Sequence, residues 1–212
     1  MIHAYQEIYV NKTQNLLGDA FDYAVNTCGI PLDRFIKMFL TSSISKAIEK
    51  GDPKYIKGRS GIELVLDIIY ETKKIDFYIE TNIDFVRTKE YWIGYAIAYF
   101  QWYSNRKFSD LFEAVTYNEL EIMYNTLHEA DISKFVDIMN ERINYKFPET
   151  NLKRMRLLCG YSQAELAKKS NVSLRSIQMY EQKNKDINKA CVETVYKLSK
   201  ALYCEMSDLI ER

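Results

Sequence analysis

Chain breakers are rare in this sequence. Seven glycines and three prolines punctuate 212 residues, too few for the closely spaced turns of a β-sandwich, so helices are the expected elements. The same scarcity leaves little material for a glycine-rich phosphate loop. Neither GxGxxG nor GxxxxGK followed by Ser or Thr occurs, which argues against a dinucleotide-binding or P-loop enzyme. Hydrophobic residues make up 47% and charged residues 27%, globular proportions that speak against disorder. The length suits one large domain or two small ones.

Four cysteines (Cys28, Cys159, Cys191 and Cys204) form no CxxC pair. That argues against a zinc site and predicts reduced thiols in a cytoplasmic protein. No basic stretch followed by an apolar one opens the chain, so no signal peptide is expected. The most apolar run, Tyr91 to Tyr103, falls short of the roughly 20 residues a membrane-spanning helix needs, and predicts a buried helix instead. No membrane partner, cofactor or metal is implied.

Pro148 disfavours helix at Phe147 and cannot continue one itself. A boundary there separates an N-terminal domain over 1–146 from a C-terminal domain over 149–212. The charge census changes at the same place. Basic and acidic residues are equal overall, 29 each, yet residues 1–148 carry 17 basic and 21 acidic side chains, and residues 149–212 carry 12 and 8. Residues 149–189 alone hold 9 basic and 4 acidic groups, a concentration suited to a polyanion.

The N-terminal part reads as helices throughout. Leu16, Ala20, Tyr23 and Ala24 share one face of a helix running from about residue 5 to 27. Ser60 with Glu63, and Thr116 with Glu119, have the spacing of capping boxes, and Asp131 is placed to cap a last helix through Phe135, Val136, Ile138 and Met139. Residues 73–87 are the least regular, and Ile75 to Thr81 fits a short strand. Tyr91, Tyr95, Tyr99 and Tyr103 recur every four residues, with Trp92, Phe100 and Trp102 on neighbouring faces. A helix apolar nearly all round is the central helix of a bundle. The sharper reading makes Tyr91, Tyr95, Tyr99, Trp102 and Tyr103 a groove for a partner protein or ligand.

No catalytic constellation emerges. The two histidines are His3 and His128, and His128-Glu-Ala-Asp-Ile132 is not HExxH. His128 reads as a surface residue at a helix end, and no enzyme is expected. The segment Lys57-Gly-Arg-Ser-Gly61 reads as a capped turn, with an anion cradle as the alternative.

Residues 162–182 carry the most specific signal. Ser162 and Glu165 form a third capping box opening a helix at Gln163, with Leu166 and Ala167 on its apolar face. Asn171 tolerates the left-handed backbone of a sharp turn, and Val172 plugs the corner. Ser173 caps a second helix over 174–182, with Ile177 and Tyr180 facing inward. Such a projecting helix fits the major groove of B-DNA.

Residues 151–210 resemble the helix-turn-helix domain of the Cro/C1 phage-repressor family, also called the xenobiotic-response-element family. Asn151 to Gly160 looks like its first helix, and Ser162 to Gln182 matches the two-helix core. Val195 to Leu202 and Met206 to Ile210 look like the fourth and fifth helices. The turn position usually held by Gly is Asn171 here, and the loop 182–186 lacks its common Gly. The resemblance implies an all-α chain: an N-terminal helical bundle plus a five-helix C-terminal domain bound to double-stranded DNA. It places Ser173, Leu174, Arg175, Ser176 and Met179 against base edges. It places Lys153, Gln163, Gln182, Lys183, Lys185 and Lys189 near phosphates. Arg156 and Glu181 match an inward, structural salt bridge of the family.

Two functions follow as expectations. One is a transcriptional regulator, a repressor working as a homodimer, since such domains read paired half-sites. No sensor domain is expected after the fifth helix, so residues 1–146 would supply dimerisation and signal input. The other is an antitoxin-like interaction protein, whose N-terminal domain binds a partner protein while the C-terminal domain autoregulates. The stretches Glu90-Tyr-Trp-Ile-Gly-Tyr-Ala and Ser60-Gly-Ile-Glu-Leu64 resemble two-part bacterial regulators encoded beside toxin-like genes.

Overall fold

A computed structural model describes residues 3–73, 87–147 and 149–211, and every regular element among them is helical. Residues 75–81, where a short strand was a possibility, lie outside the described residues. The chain divides into two compact units, 1–146 and 147–212.

In the first unit α1 (Val10–Asp22) and α6 (Lys89–Ser104) make the most extensive helix pair. Around them lie α2 (Leu32–Thr41), α3 (Ser43–Glu49), α4 (Pro53–Ile56), α5 (Gly61–Lys73), α7 (Phe108–Ala114), α8 (Tyr117–Leu127) and α9 (Ile132–Lys146). The aromatic helix α6 is central, packing on α1, α7, α8 and α9. Glycines let it approach α1 closely. A Cβ on Gly94 would collide with the Leu17 carbonyl oxygen, and one on Gly18 would meet the Tyr91 ring at 2.7 Å. Phe21, Phe35, Phe39, Phe100, Phe108 and Phe135 are fully buried, each worth about 1.5–3 kcal/mol of transfer free energy. Phe39 and Phe108 meet edge to face with centroids 4.9 Å apart.

The continuous helix expected over 5–27 is three pieces: a 3-10 turn at Glu7–Tyr9, α1, and a π turn at Tyr23–Thr27. The wider turn appears where the Cys28 N–H donates to the Tyr23 carbonyl at 2.9 Å, and Gly29 at φ 61° then releases the chain.

The helix starts follow their caps. The Ser60 N–H donates to Glu63 Oε2 at 2.8 Å and the Glu63 N–H returns to Ser60 Oγ at 3.3 Å. Thr116 and Glu119 repeat this reciprocal pair at α8. Asp131 Oδ1 accepts from the Ser133 N–H at 2.8 Å at the start of α9. Arg59 is held by Glu63 and Asp67 at 3.5 and 3.2 Å, so the Lys57–Gly61 segment is a capped turn whose guanidinium already has two carboxylates. His128 stands exposed at the end of α8, its Nδ1 2.8 Å from the Tyr124 carbonyl oxygen.

In the second unit α10 (Asn151–Leu158), α11 (Gln163–Ser170), α12 (Leu174–Glu181) and α13 (Val192–Ala201) enclose a core of Leu152, Leu166, Ile177, Tyr180, Ile187, Val195, Leu198, Leu202 and Leu209. The fourth helix starts earlier than Val195, at Val192. The expected fifth helix is a single 3-10 turn, Met206–Asp208, closed at its start by reciprocal bonds between Glu205 and Asp208. The unit's ends are joined: the Asn151 N–H donates to Glu211 Oε1 at 2.6 Å, and Asn151 Nδ2 to the Ile210 carbonyl at 2.7 Å.

Candidate nucleic-acid interface

The interface begins with the turn between α11 and α12. The Ser162 N–H donates to Glu165 Oε2 at 2.7 Å, and the Glu165 N–H to Ser162 Oγ at 3.1 Å. Bonds from the Ser162 backbone and side chain hold the Glu165 carboxyl below the usual carboxylate range. Asn171 ends α11 at φ 53°, ψ 34°, a conformation Asn tolerates better than most residues. Val172 packs half-buried against the core. Ser173 Oγ then accepts from the Ser176 N–H at 3.1 Å and starts α12.

Helix periodicity divides α12 into two sides. Ile177 and Tyr180 are buried, anchoring it. Ser173, Leu174 and Arg175 are exposed, and Ser176 and Met179 are half-buried. The exposed side therefore opens with a hydroxyl, a branched alkyl group and a guanidinium within one helical turn. A guanidinium placed so can hold guanine O6 and N7 with two hydrogen bonds, and the alkyl group can meet a thymine methyl.

The back of α12 is fixed by an ion pair. Arg156 Nε and Nη2 donate to Glu181 Oε1 and Oε2 at 2.7 and 2.8 Å, with both side chains almost wholly buried. Arg156 Nη1 also donates to the Tyr161 carbonyl at 2.7 Å, linking α10, the loop before α11, and α12. Burial alone would raise the Glu181 carboxyl, but bonds from Arg156 and Gln163 outweigh it and hold Glu181 below the usual range.

The residues expected near phosphates differ in their surroundings. Gln163 Nε2 donates to Glu181 Oε2 at 2.8 Å, so this side-chain amide is turned into the domain. The Lys153 ammonium meets Glu149 at 2.5 Å, and that of Lys189 lies 3.7 Å from Asp186 Oδ2. Gln182, Lys183 and Lys185 are exposed in the loop after α12. Lys183 takes the left-handed region at φ 58° in a loop that has no glycine to do so. The Lys185 N–H donates to the Met179 carbonyl at 3.1 Å, and its ammonium stands 5.3 Å from the centroid of the Tyr180 ring. Reasoning from sequence missed the inward turn of Gln163 and the Tyr161 carbonyl as an acceptor. Nothing in the residue pattern marks a backbone oxygen for that role.

The aromatic residues of α6 are mostly spent in packing. Tyr91 is 8% exposed and its hydroxyl donates to Asn15 Oδ1 at 2.7 Å. Trp102 is 5% exposed, donates from Nε1 to the Tyr5 carbonyl at 2.8 Å, and stacks on His3 with centroids 4.0 Å apart. Burial thus removes Tyr91 and Trp102 from the groove reading, while Tyr95, Tyr99 and Tyr103 remain half-buried. Among the described residues, no group of His, Cys, Asp or Glu is arranged to hold a metal, and no helix is long and apolar enough to cross a membrane.

Neither curated proteins nor solved structures match the chain. Residues 152–209 match the family model described as helix-turn-helix, a stretch running from α10 through the 3-10 turn at Met206–Asp208. The C-terminal unit is a Cro/C1-type helix-turn-helix domain, the DNA-binding module of a regulator.

Proposed function

We propose that this chain is a sequence-specific transcriptional repressor of the cytoplasm that binds double-stranded DNA as a homodimer. The observation that carries the reading is the two-sidedness of α12. Its inner side is anchored by Ile177, Tyr180 and the Arg156–Glu181 pair, and its outer side presents Ser173, Leu174 and Arg175 to solvent. In this reading Ser173, Leu174, Arg175, Ser176 and Met179 meet base edges in the major groove. Gln182, Lys183 and Lys185 hold the backbone, Lys153 and Lys189 join them by exchanging a carboxylate for a phosphate, and the start of α11 at Gln163 faces a phosphate. Residues 1–146 act as the regulatory part.

Genome-wide mapping of bound sites, paired with transcript levels in a deletion strain, tests this. Discrete sites sharing one sequence, next to transcripts that rise on deletion, are expected. Uniform occupancy without a shared sequence would refute specific reading. Transcripts that fall on deletion would refute repression. Stoichiometric copurification of a second polypeptide would favour the antitoxin-like reading.

A further inference from the structure

We infer that a second copy of this chain docks on the exposed side of α13, antiparallel, about a two-fold axis passing between Tyr196 and Lys197. The inference rests on the homodimer of the reading above and assigns its interface. Val195 and Leu198 bury one side of α13 in the core. On the other side Val192 is 73% and Tyr196 50% exposed, one turn apart. Just past the helix Tyr203 is 84% exposed and held at φ 54°, a region bulky side chains avoid. Tyr203 shares with Tyr196, Lys197 and Lys200 the wall of an open hollow of about 380 Å³. Single exposed apolar residues need no explanation, but a row of three along one side points to a surface meant to be covered.

The charges beside this row identify the occupant. Glu193 and Lys200 are two turns apart on one flank of the helix. In an antiparallel pairing centred between Tyr196 and Lys197, Glu193 faces Lys200 of the partner subunit, and the same contact recurs on the other side of the axis. A parallel pairing would set Glu193 against itself. Lys200 makes no ion pair within its own chain among the described residues, and its ammonium stands 5.5 Å from the Tyr196 ring centroid. Glu193 pairs with Lys197 at 2.6 Å yet keeps 72% of its side chain exposed, leaving an oxygen for a second cation. One acidic and one basic end on the same flank is the self-complementarity that an isologous interface requires.

The test is sedimentation of the full chain with reversed charges. Glu193→Lys and Lys200→Glu should each raise the dimer dissociation constant about tenfold or more, because each sets like charges together twice. The double reversal should return it to near the native value. A second measurement, oxidation of Tyr196→Cys in a Cys191→Ser background, should trap a disulfide-linked dimer. A dimer indifferent to all three reversals and not trapped at position 196 overturns this interface but leaves the homodimer standing. A chain monomeric both free and on DNA overturns the interface and the homodimer together.

Discussion

Replacing Arg156 with Ala removes the bolt between α10 and α12. The variant loses both bonds to Glu181 and the bond to the Tyr161 carbonyl. It leaves a buried carboxylate that still accepts from the Gln163 amide. Breaking one side of a buried, bidentate pair costs about 3–5 kcal/mol. The C-terminal unit, 147–212, is small enough that its whole stability is expected at about 3–10 kcal/mol, so the variant unit should be largely unfolded well before the native one. Both tryptophans, Trp92 and Trp102, lie in the first unit. Tryptophan emission during denaturation therefore follows residues 1–146, while far-ultraviolet circular dichroism follows both units. Arg156→Ala should move part of the dichroism transition to much lower denaturant and leave the emission transition in place. Adding Glu181→Gln should recover part of the loss by removing the stranded charge. If dichroism of Arg156→Ala overlays the native curve within about 0.5 kcal/mol, the pair is not holding α12 and the energetic argument fails.

Gly94→Ala should destabilise the first unit by about 1–3 kcal/mol or more, because its methyl meets Leu17 backbone; Gly18→Ala should cost less, since the Tyr91 ring it meets can turn, and thermal melts of the two variants compare them. Glu119 and Glu181 are held below their ordinary range in the folded chain, so their stabilisation should be complete above about pH 4.3 and lost as pH falls through the lower folded values; acid unfolding of the native chain should therefore lie below that point, and a transition centred above pH 5 would contradict the assignment. DNA affinity should fall steeply with salt, each cation that meets a phosphate adding about 0.9 to the logarithmic slope; a flat salt titration would remove Lys183 and Lys185 from the backbone contacts.

Local chemistry made much of the fold legible. Three capping boxes, the Asp131 cap and the Asn171 turn depend on residues no more than three positions apart, and the structure places helix boundaries at each. The burial of Ile177 and Tyr180 against the exposure of Arg175 follows from the 3.6-residue period alone, and Ser173 stands exposed as the N-cap before the helix. Features that depend on a distant segment were not legible. Gly18 and Gly94 carry meaning only once α1 lies on α6. The Tyr91 hydroxyl needs Asn15 and the Trp102 indole needs the Tyr5 carbonyl, partners no spacing reveals. The apolar run of α6 pointed to a central bundle helix, and packing buries Tyr91 and Trp102, two of the five residues of the alternative groove.

In the proposed docking, α12 reads bases while the loop after it holds the backbone. Paired titrations of Arg175→Ala and Lys185→Ala, each against the mapped operator and a scrambled duplex at one fixed salt concentration, test it most directly. Arg175→Ala should lose about 1–3 kcal/mol of operator binding, relax preference at one base pair, and change scrambled-duplex binding less. Lys185→Ala should weaken both duplexes alike and modestly. Equal losses on the two duplexes for Arg175→Ala would make that residue a phosphate anchor, and no loss for either variant would contradict the placement of α12 in the groove.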